Sequence, residues 1–163
     1  MDVIRIDERG GLYLSPDIDD WSAIARHSIS AVIDLDGDLD PGVPTLPGGL
    51  LYVYFPFQDD ALPDLEKLHA VAAMGAELVG TGQRVLCHCL LGFNRSALVA
   101  GLILVHLGMS GRDAVAILRD RRPGALYNEV FAAYLESLPG RRHLVHADKL
   151  PHAIRMEGNP EDV

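Results

Sequence analysis

Cys89 and Arg95, with five residues between them, are the pair in this 163-residue chain whose types and spacing support covalent chemistry. A thiolate is a strong nucleophile, and a guanidinium grips two oxygens of an oxyanion at once. Between them lie Leu90, Leu91, Gly92, Phe93 and Asn94, with the glycine free to take the backbone conformation of a tight turn. Set between a strand and a helix, such a stretch becomes a loop whose backbone N–H groups turn inward. The unsatisfied N–H groups and positive dipole end at the helix start join them. That is a cradle for a phosphate-sized anion, and it favours a sulfur anion at its base. Cys89 is the expected nucleophile and Arg95 the expected oxyanion clamp. The five loop residues are the expected substrate-binding lining.

The neighbouring sequence supplies the elements that such a loop needs. Arg84 to His88 reads as a strand feeding the loop, and Ala97 to Leu107 as a buried helix leaving it. Upstream, short strands are expected near Val3–Ile6, Leu12–Leu14, Ile29–Leu35 and Leu50–Phe55. Ser15-Pro16-Asp17 reads as the opening of a helix running to about Ser28, since Pro and Asp both suit a first turn. A helix is expected from Leu65 to Val79, closed by Gly80-Thr81-Gly82. Downstream, Gly108 caps the buried helix, Ser110 to Asp113 forms a capping box, and Leu126 to Leu138 reads as a last amphipathic helix. Strands alternating with helices predict an α/β fold, a central and mostly parallel sheet with helices on both faces. The loop then lies at a strand-to-helix turn on the C-terminal edge of the sheet, where open α/β sheets bind ligands. Residues 1–140 read as one domain and 141–163 as a polar tail.

His88-Cys89, five residues and Arg95-Ser96 resemble the Cys-x5-Arg signature of the cysteine-dependent protein tyrosine phosphatases, with the small atypical dual-specificity branch fitting best. The resemblance extends over about residues 9 to 138, through Gly11-Leu12-Tyr13-Leu14, Ile29 to Leu35, Met109-Ser110 and the Arg-Arg-Pro-Gly-Ala run ending at Ala125. It implies hydrolysis of phosphomonoesters through a phosphocysteine, with no metal or other cofactor. It implies that the Ser96 hydroxyl helps the thiolate depart and that His88 orients the loop by hydrogen bonding. A general acid is still required by the leaving oxygen. The loop after Leu50–Phe55 offers Asp59 and Asp60, and the resemblance favours Asp59. Asn128 departs from the family's spacing and reads as structural.

Composition narrows the partners. Residues 1–80 carry 15 acidic against 4 basic side chains, a net of −11, and residues 81–163 carry 8 against 10, a net of +2. An acidic chain without a Lys/Arg run is not a nucleic-acid binder. Ala97–Leu107, the longest apolar run, is too short to cross a bilayer, so no membrane partner is expected. Two cysteines make no secreted disulfide framework, which points to the cytoplasm. Cys87 reads as a core residue. Cys87-His88-Cys89 is a poor zinc site, because adjacent strand residues face opposite ways. Asp34, Asp36, Asp38 and Asp40 lack the Glu that closes a calcium loop, the twelfth position falling on Thr45 or Pro47, and read as a solvated acidic loop. With no Lys or Arg in the five loop residues, the substrate expected is a phosphorylated protein or small aryl phosphate. An inositol-phosphate substrate, a phosphate-binding module without turnover, and sulfur transfer or arsenate reduction are the competing readings.

Overall fold

The structure, a computed structural model, describes residues 1–45 and 49–140. In chain order the elements are β1 (Ile4–Arg5), β2 (Leu12–Ser15), α1 (Trp21–Arg26), β3 (Ala31–Asp34), β4 (Leu51–Tyr54), α2 (Leu65–Gly80), β5 (Val85–His88), α3 (Arg95–His106), α4 (Gly111–Arg121) and α5 (Glu129–Glu136). The strands form one sheet in the order β1-β2-β5-β3-β4. Only the β1–β2 pair is antiparallel. β5 is the central strand, with Cys87 in register with Leu14 of β2 and Ile33 of β3.

The period-two alternation of the strands divides the apolar side chains into two clusters. Leu12, Leu14, Ala31, Ile33, Val85 and Cys87 face α2, α3, α4 and α5. Tyr13, Val32 and Leu86 face the other way, onto Ile18, Ile24 and Ile29. The sheet is thus covered on both faces as expected, but unequally, with α1 the single helix on its side among the described residues. α3 is the centre of the larger layer: every residue from Ser96 to Leu104 is buried. The Ser110 hydroxyl accepts from Asp113 N–H and caps α4, as the sequence predicts. Among the described residues no helix is long and apolar enough to cross a membrane.

Three local expectations are corrected. The first helix does not open at Ser15-Pro16-Asp17. Ser15 stays in the sheet opposite His88, Asp17 N–H reaches the Leu90 carbonyl at 3.4 Å, and α1 starts only after Asp20, whose carboxylate accepts from Ser22 N–H. Sheet pairing there outweighs the local helix signal. The last helix starts after Asn128 rather than at Leu126, which has a positive φ of 58°. The acidic stretch is not uniformly solvated, since Asp34 is fully buried and Asp40 largely so. The polar tail expected over 141–163 lies outside the described residues.

Candidate active site

Four parallel strand ends build the site, and the Cys89–Arg95 loop follows the central one. Its shape is fixed from outside through its carbonyls. Asp17 N–H donates to Leu90 O, Arg122 Nη2 to Leu91 O (2.8 Å), and Leu126 N–H to Phe93 O (2.8 Å). Because the peptide unit is planar and trans, each carbonyl held outward turns the following N–H to the opposite side. The N–H groups of Leu91, Gly92 and Asn94 therefore turn toward the loop's interior. Gly92 has φ of +67°, and a Cβ there would stand 2.6 Å from the Ser15 carbonyl oxygen and 2.8 Å from Pro16 N. Only glycine lets the loop lie against the end of β2.

At the start of α3, Asn94 occupies the cap position but makes no side-chain hydrogen bond to the helix. The first-turn N–H groups are left for an anion. Cys89 is 3% exposed, and its Sγ lies 3.4 Å from Ser96 Oγ. Arg95 is held by one nitrogen: Nη1 donates to the carbonyls of Leu35 (3.0 Å) and Phe57 (3.3 Å) and to Asp36 Oδ1 (3.1 Å). Its Nε is buried and has no hydrogen-bond partner. The cost of a cation at a helix N-terminus is offset by Asp36, while an edge of the fork remains for oxygens.

Asp59, Cys89, Leu90, Leu91, Phe93, Asn94, Arg95 and Tyr127 line a cavity of about 180 Å³. A wider groove lies at the opposite end of the sheet, beside Gly10, Gly82 and Met109, away from these residues. Both candidate acids are exposed, but Asp59 lines the cavity, whereas Asp60 accepts from the N–H of its neighbour Ala61. Asp59 is gripped on both oxygens, Asn94 Nδ2 donating to Oδ2 at 2.9 Å and Asn128 Nδ2 to Oδ1 at 3.2 Å. Asn128, read from sequence as structural, does cap α5 through Val130 and Phe131 N–H, but it also reaches the site. Tyr127 is 60% exposed at the cavity lip, with its ring 6.3 Å from that of Phe93. Sequence reasoning passed over Tyr127 and read Asn128 as structural because its spacing departs from the family's; the local signal for Tyr127 was the Pro123-Gly124 break just before it.

His88 does not face the loop interior. Its ring points to the other side of β5, where Nε2 lies 2.8 Å from Asp40 Oδ2 and 3.5 Å from Asp34 Oδ1. Neither ring nitrogen meets hydrogen-bond geometry, so these are close contacts rather than aligned bonds. The Tyr52 hydroxyl donates to Asp34 and lies 3.2 Å from Asp40 Oδ2. Burial pushes the Asp34 carboxyl above the ordinary Asp range, against the opposing pull of the Tyr52 hydrogen bond. The loop-orienting hydrogen bond expected of His88 is absent, because consecutive residues leaving a strand point to opposite faces. Asp34, Asp40 and His88 bring possible ligand atoms within 4.8 Å of one another, the single such group among the described residues. Cys87 is fully buried, and burial pushes its thiol far above the ordinary range.

No protein-family model matches the chain. Protein tyrosine phosphatase type IVA 3 of Homo sapiens is 29% identical over 146 residues, which are 87% of this chain and 81% of that protein. Dual specificity protein phosphatase Mpk3 of Drosophila melanogaster is 32% identical over 128 residues, 77% of this chain but 31% of that longer protein. The crystal structure of human DUSP28 matches with a TM-score of 0.69 and 26% identity, over 82% of this chain and 90% of that one. Matches of this extent take in the sheet and helices as well as the loop: the chain is a homologue of protein tyrosine and dual-specificity phosphatases and has the fold of the small dual-specificity ones.

Proposed function

We propose that residues 1–140 form a protein phosphatase domain that hydrolyses phosphotyrosine and, in the dual-specificity manner, phosphoserine and phosphothreonine. The Cys89 thiolate attacks phosphorus, the ester P–O bond breaks, and Asp59 gives its proton to the leaving oxygen. Water then attacks the phosphocysteine, Asp59 takes the water's proton, the S–P bond breaks and inorganic phosphate leaves. Arg95 Nε and the loop N–H groups hold the phosphoryl oxygens through both steps, with more effect on the transition state than on the bound ester. The Ser96 hydroxyl, beside Sγ, hydrogen-bonds the departing thiolate. The observation that carries this reading is the convergence of Cys89, Arg95 and Asp59 on one cavity.

A monophosphorylated substrate suits the site better than an inositol polyphosphate. The loop contributes no cationic side chain between Cys89 and Arg95, and nearby Arg122 lays its guanidinium 4.0 Å over the Phe93 ring and donates to Leu91 O. Two unpaired thiols suit a reducing compartment such as the cytoplasm. The test is hydrolysis of p-nitrophenyl phosphate and a phosphotyrosine peptide by wild type, Cys89→Ser, Asp59→Asn and Asp60→Asn. Abolished turnover in Cys89→Ser and a deficit confined to Asp59→Asn are expected. Stoichiometric phosphopeptide binding without phosphate release overturns the reading in favour of a binding module.

A further inference from the structure

We infer that Asn94 and Asn128 are positioning residues that aim Asp59 at the leaving oxygen, an inference that rests on the phosphatase reading above. Each amide has a fixed orientation, set by backbone donors on its far side. Asn94 Oδ1 accepts from Asn128 N–H at 3.0 Å, so its Nδ2 must face Asp59. Asn128 Oδ1 accepts from Val130 N–H at 3.0 Å and Phe131 N–H at 3.3 Å, so its Nδ2 must face Asp59 as well. Flipping either amide would set carbonyl oxygen against carboxylate and N–H against N–H. The carboxylate thus receives one N–H donor on each oxygen, and its plane is defined relative to the loop. The lone pairs left over are the ones available to carry the transferred proton.

Two departures from ordinary local structure support the assignment. Asn94 stands where a side chain would normally cap α3, yet its amide is turned away from that helix and onto Asp59 while remaining 1% exposed. Leu126 holds a left-handed φ of 58°, unusual for a non-glycine residue, two residues before Asn128 meets Asp59. Arg119 secures the turn from beneath, with Nη2 donating to Leu126 O at 3.2 Å. Two strained or unfilled positions therefore converge on the orientation of one carboxylate. Among the described residues, the side-chain hydrogen bonds to Asp59 come from Asn94 and Asn128, and none from the general-acid loop itself.

A misaimed acid is most costly when the leaving oxygen most needs a proton. The experiment therefore measures kcat/KM for a series of aryl phosphates from p-nitrophenyl to phenyl, for wild type, Asp59→Asn, Asn128→Ser and Asn94→Ala. Serine keeps the α5 cap but cannot reach Asp59 as the amide does, which separates positioning from capping. General acid catalysis is worth about 10²- to 10⁴-fold. Asn128→Ser is expected to lose roughly tenfold more on phenyl phosphate than on p-nitrophenyl phosphate, a part of the Asp59→Asn effect. Combining Asn128→Ser with Asp59→Asn should add no further leaving-group dependence. A uniform loss across the series, or none, in both asparagine variants overturns the inference while a steep Asp59→Asn dependence leaves the phosphatase reading intact. If Asp59→Asn itself shows no leaving-group dependence, the acid assignment fails and the positioning role fails with it.

Discussion

Replacing Gly92 by alanine tests whether the loop geometry, rather than the Cys89–Arg95 pair alone, makes the site. Two costs are legible. A left-handed φ of +67° costs an L-residue about 1–2 kcal/mol. The added Cβ would also stand 2.6 Å from Ser15 O, 2.7 Å from Ser15 C and 2.8 Å from Pro16 N. Relief to an ordinary contact needs a displacement of roughly 0.6–0.8 Å. Neither neighbour yields easily, since Ser15 is paired in register with His88 and Pro16 has a fixed φ. The loop must move instead, carrying the inward N–H groups away from the phosphoryl oxygens. A misplacement on the order of 1 Å costs about 10²-fold in rate, so kcat/KM on p-nitrophenyl phosphate should fall by about that factor. Stability should fall by roughly 2–3 kcal/mol, a loss of about 5–10 °C in Tm. The assay is steady-state kinetics well below the Tm of the variant, with far-ultraviolet circular dichroism to verify folding. Activity within threefold of wild type refutes the argument that the loop is braced against the end of β2.

Other outcomes follow from the same geometry. Iodoacetamide near neutral pH should label Cys89 alone, with inorganic phosphate slowing the reaction, because Cys87 is fully buried with its thiol pushed up by desolvation; mass mapping of a labelled Cys87 in native protein contradicts this. Tyr127→Ala should raise KM for aryl phosphates by about 2–10-fold, the worth of one aromatic contact, and change KM for a phosphothreonine peptide less; equal changes on both would deny Tyr127 an aryl-recognising role. Gly111→Ala places a Cβ 1.6 Å from the Leu135 carbonyl and should cost about 3 kcal/mol or more, read as a shifted denaturation midpoint; an unchanged midpoint would mean that α4 and α5 separate freely. The fold raises the Asp34 pKa above its unfolded value of 3.8, so the folded state binds that proton more tightly. Stability from this group is present below that value and is lost as pH rises through the folded pKa. Denaturant titrations from about pH 4 to pH 6 should therefore show wild type losing stability relative to Asp34→Asn, and the opposite slope refutes the sign.

Local patterns located most of the framework. The apolar runs of β3 and β5, the capping serine at Ser110 and the apolar period of α2 are short-range signals, and each element lies within a few residues of its expected place. The Cys89–Arg95 loop was legible for the same reason: glycine, thiol and guanidinium sit within one turn of chain. What failed to show is what depends on tertiary contact. Leu126 is apolar and buried whether it begins α5 or occupies a left-handed turn before it, so periodicity alone places it in the helix. That error hid Tyr127, which the turn delivers to the cavity, while Asn128, which it brings to Asp59, was read as structural from its spacing. Asp34 follows Val32 at strand spacing and so belonged to an inward face, but three further aspartates at alternate positions masked it as part of a solvated run.

The acidity of the first half of the chain has a structural use that its net charge conceals. Asp36 fixes Arg95 from the end of β3, Asp40 and Asp34 face His88 beneath the loop, and Asp59 descends from the β4 end. Each carboxylate sits at the C-terminal edge of a parallel strand or in the loop that follows it, where the sheet order brings β3 and β4 alongside β5. The positive character of the cradle therefore resides mainly in backbone N–H groups and the uncapped start of α3, with Arg95 as its one cationic side chain from the loop. Backbone donors are fixed in number and direction, so they suit one tetrahedral phosphoryl group. A second or third phosphate would meet neighbouring carboxylates instead of spare cations. The charge imbalance read from the sequence and the proposed preference for a singly phosphorylated substrate thus meet in one arrangement, in which Asp36 holds Arg95 and the neighbouring carboxylates would discourage multiply charged ligands at the rim.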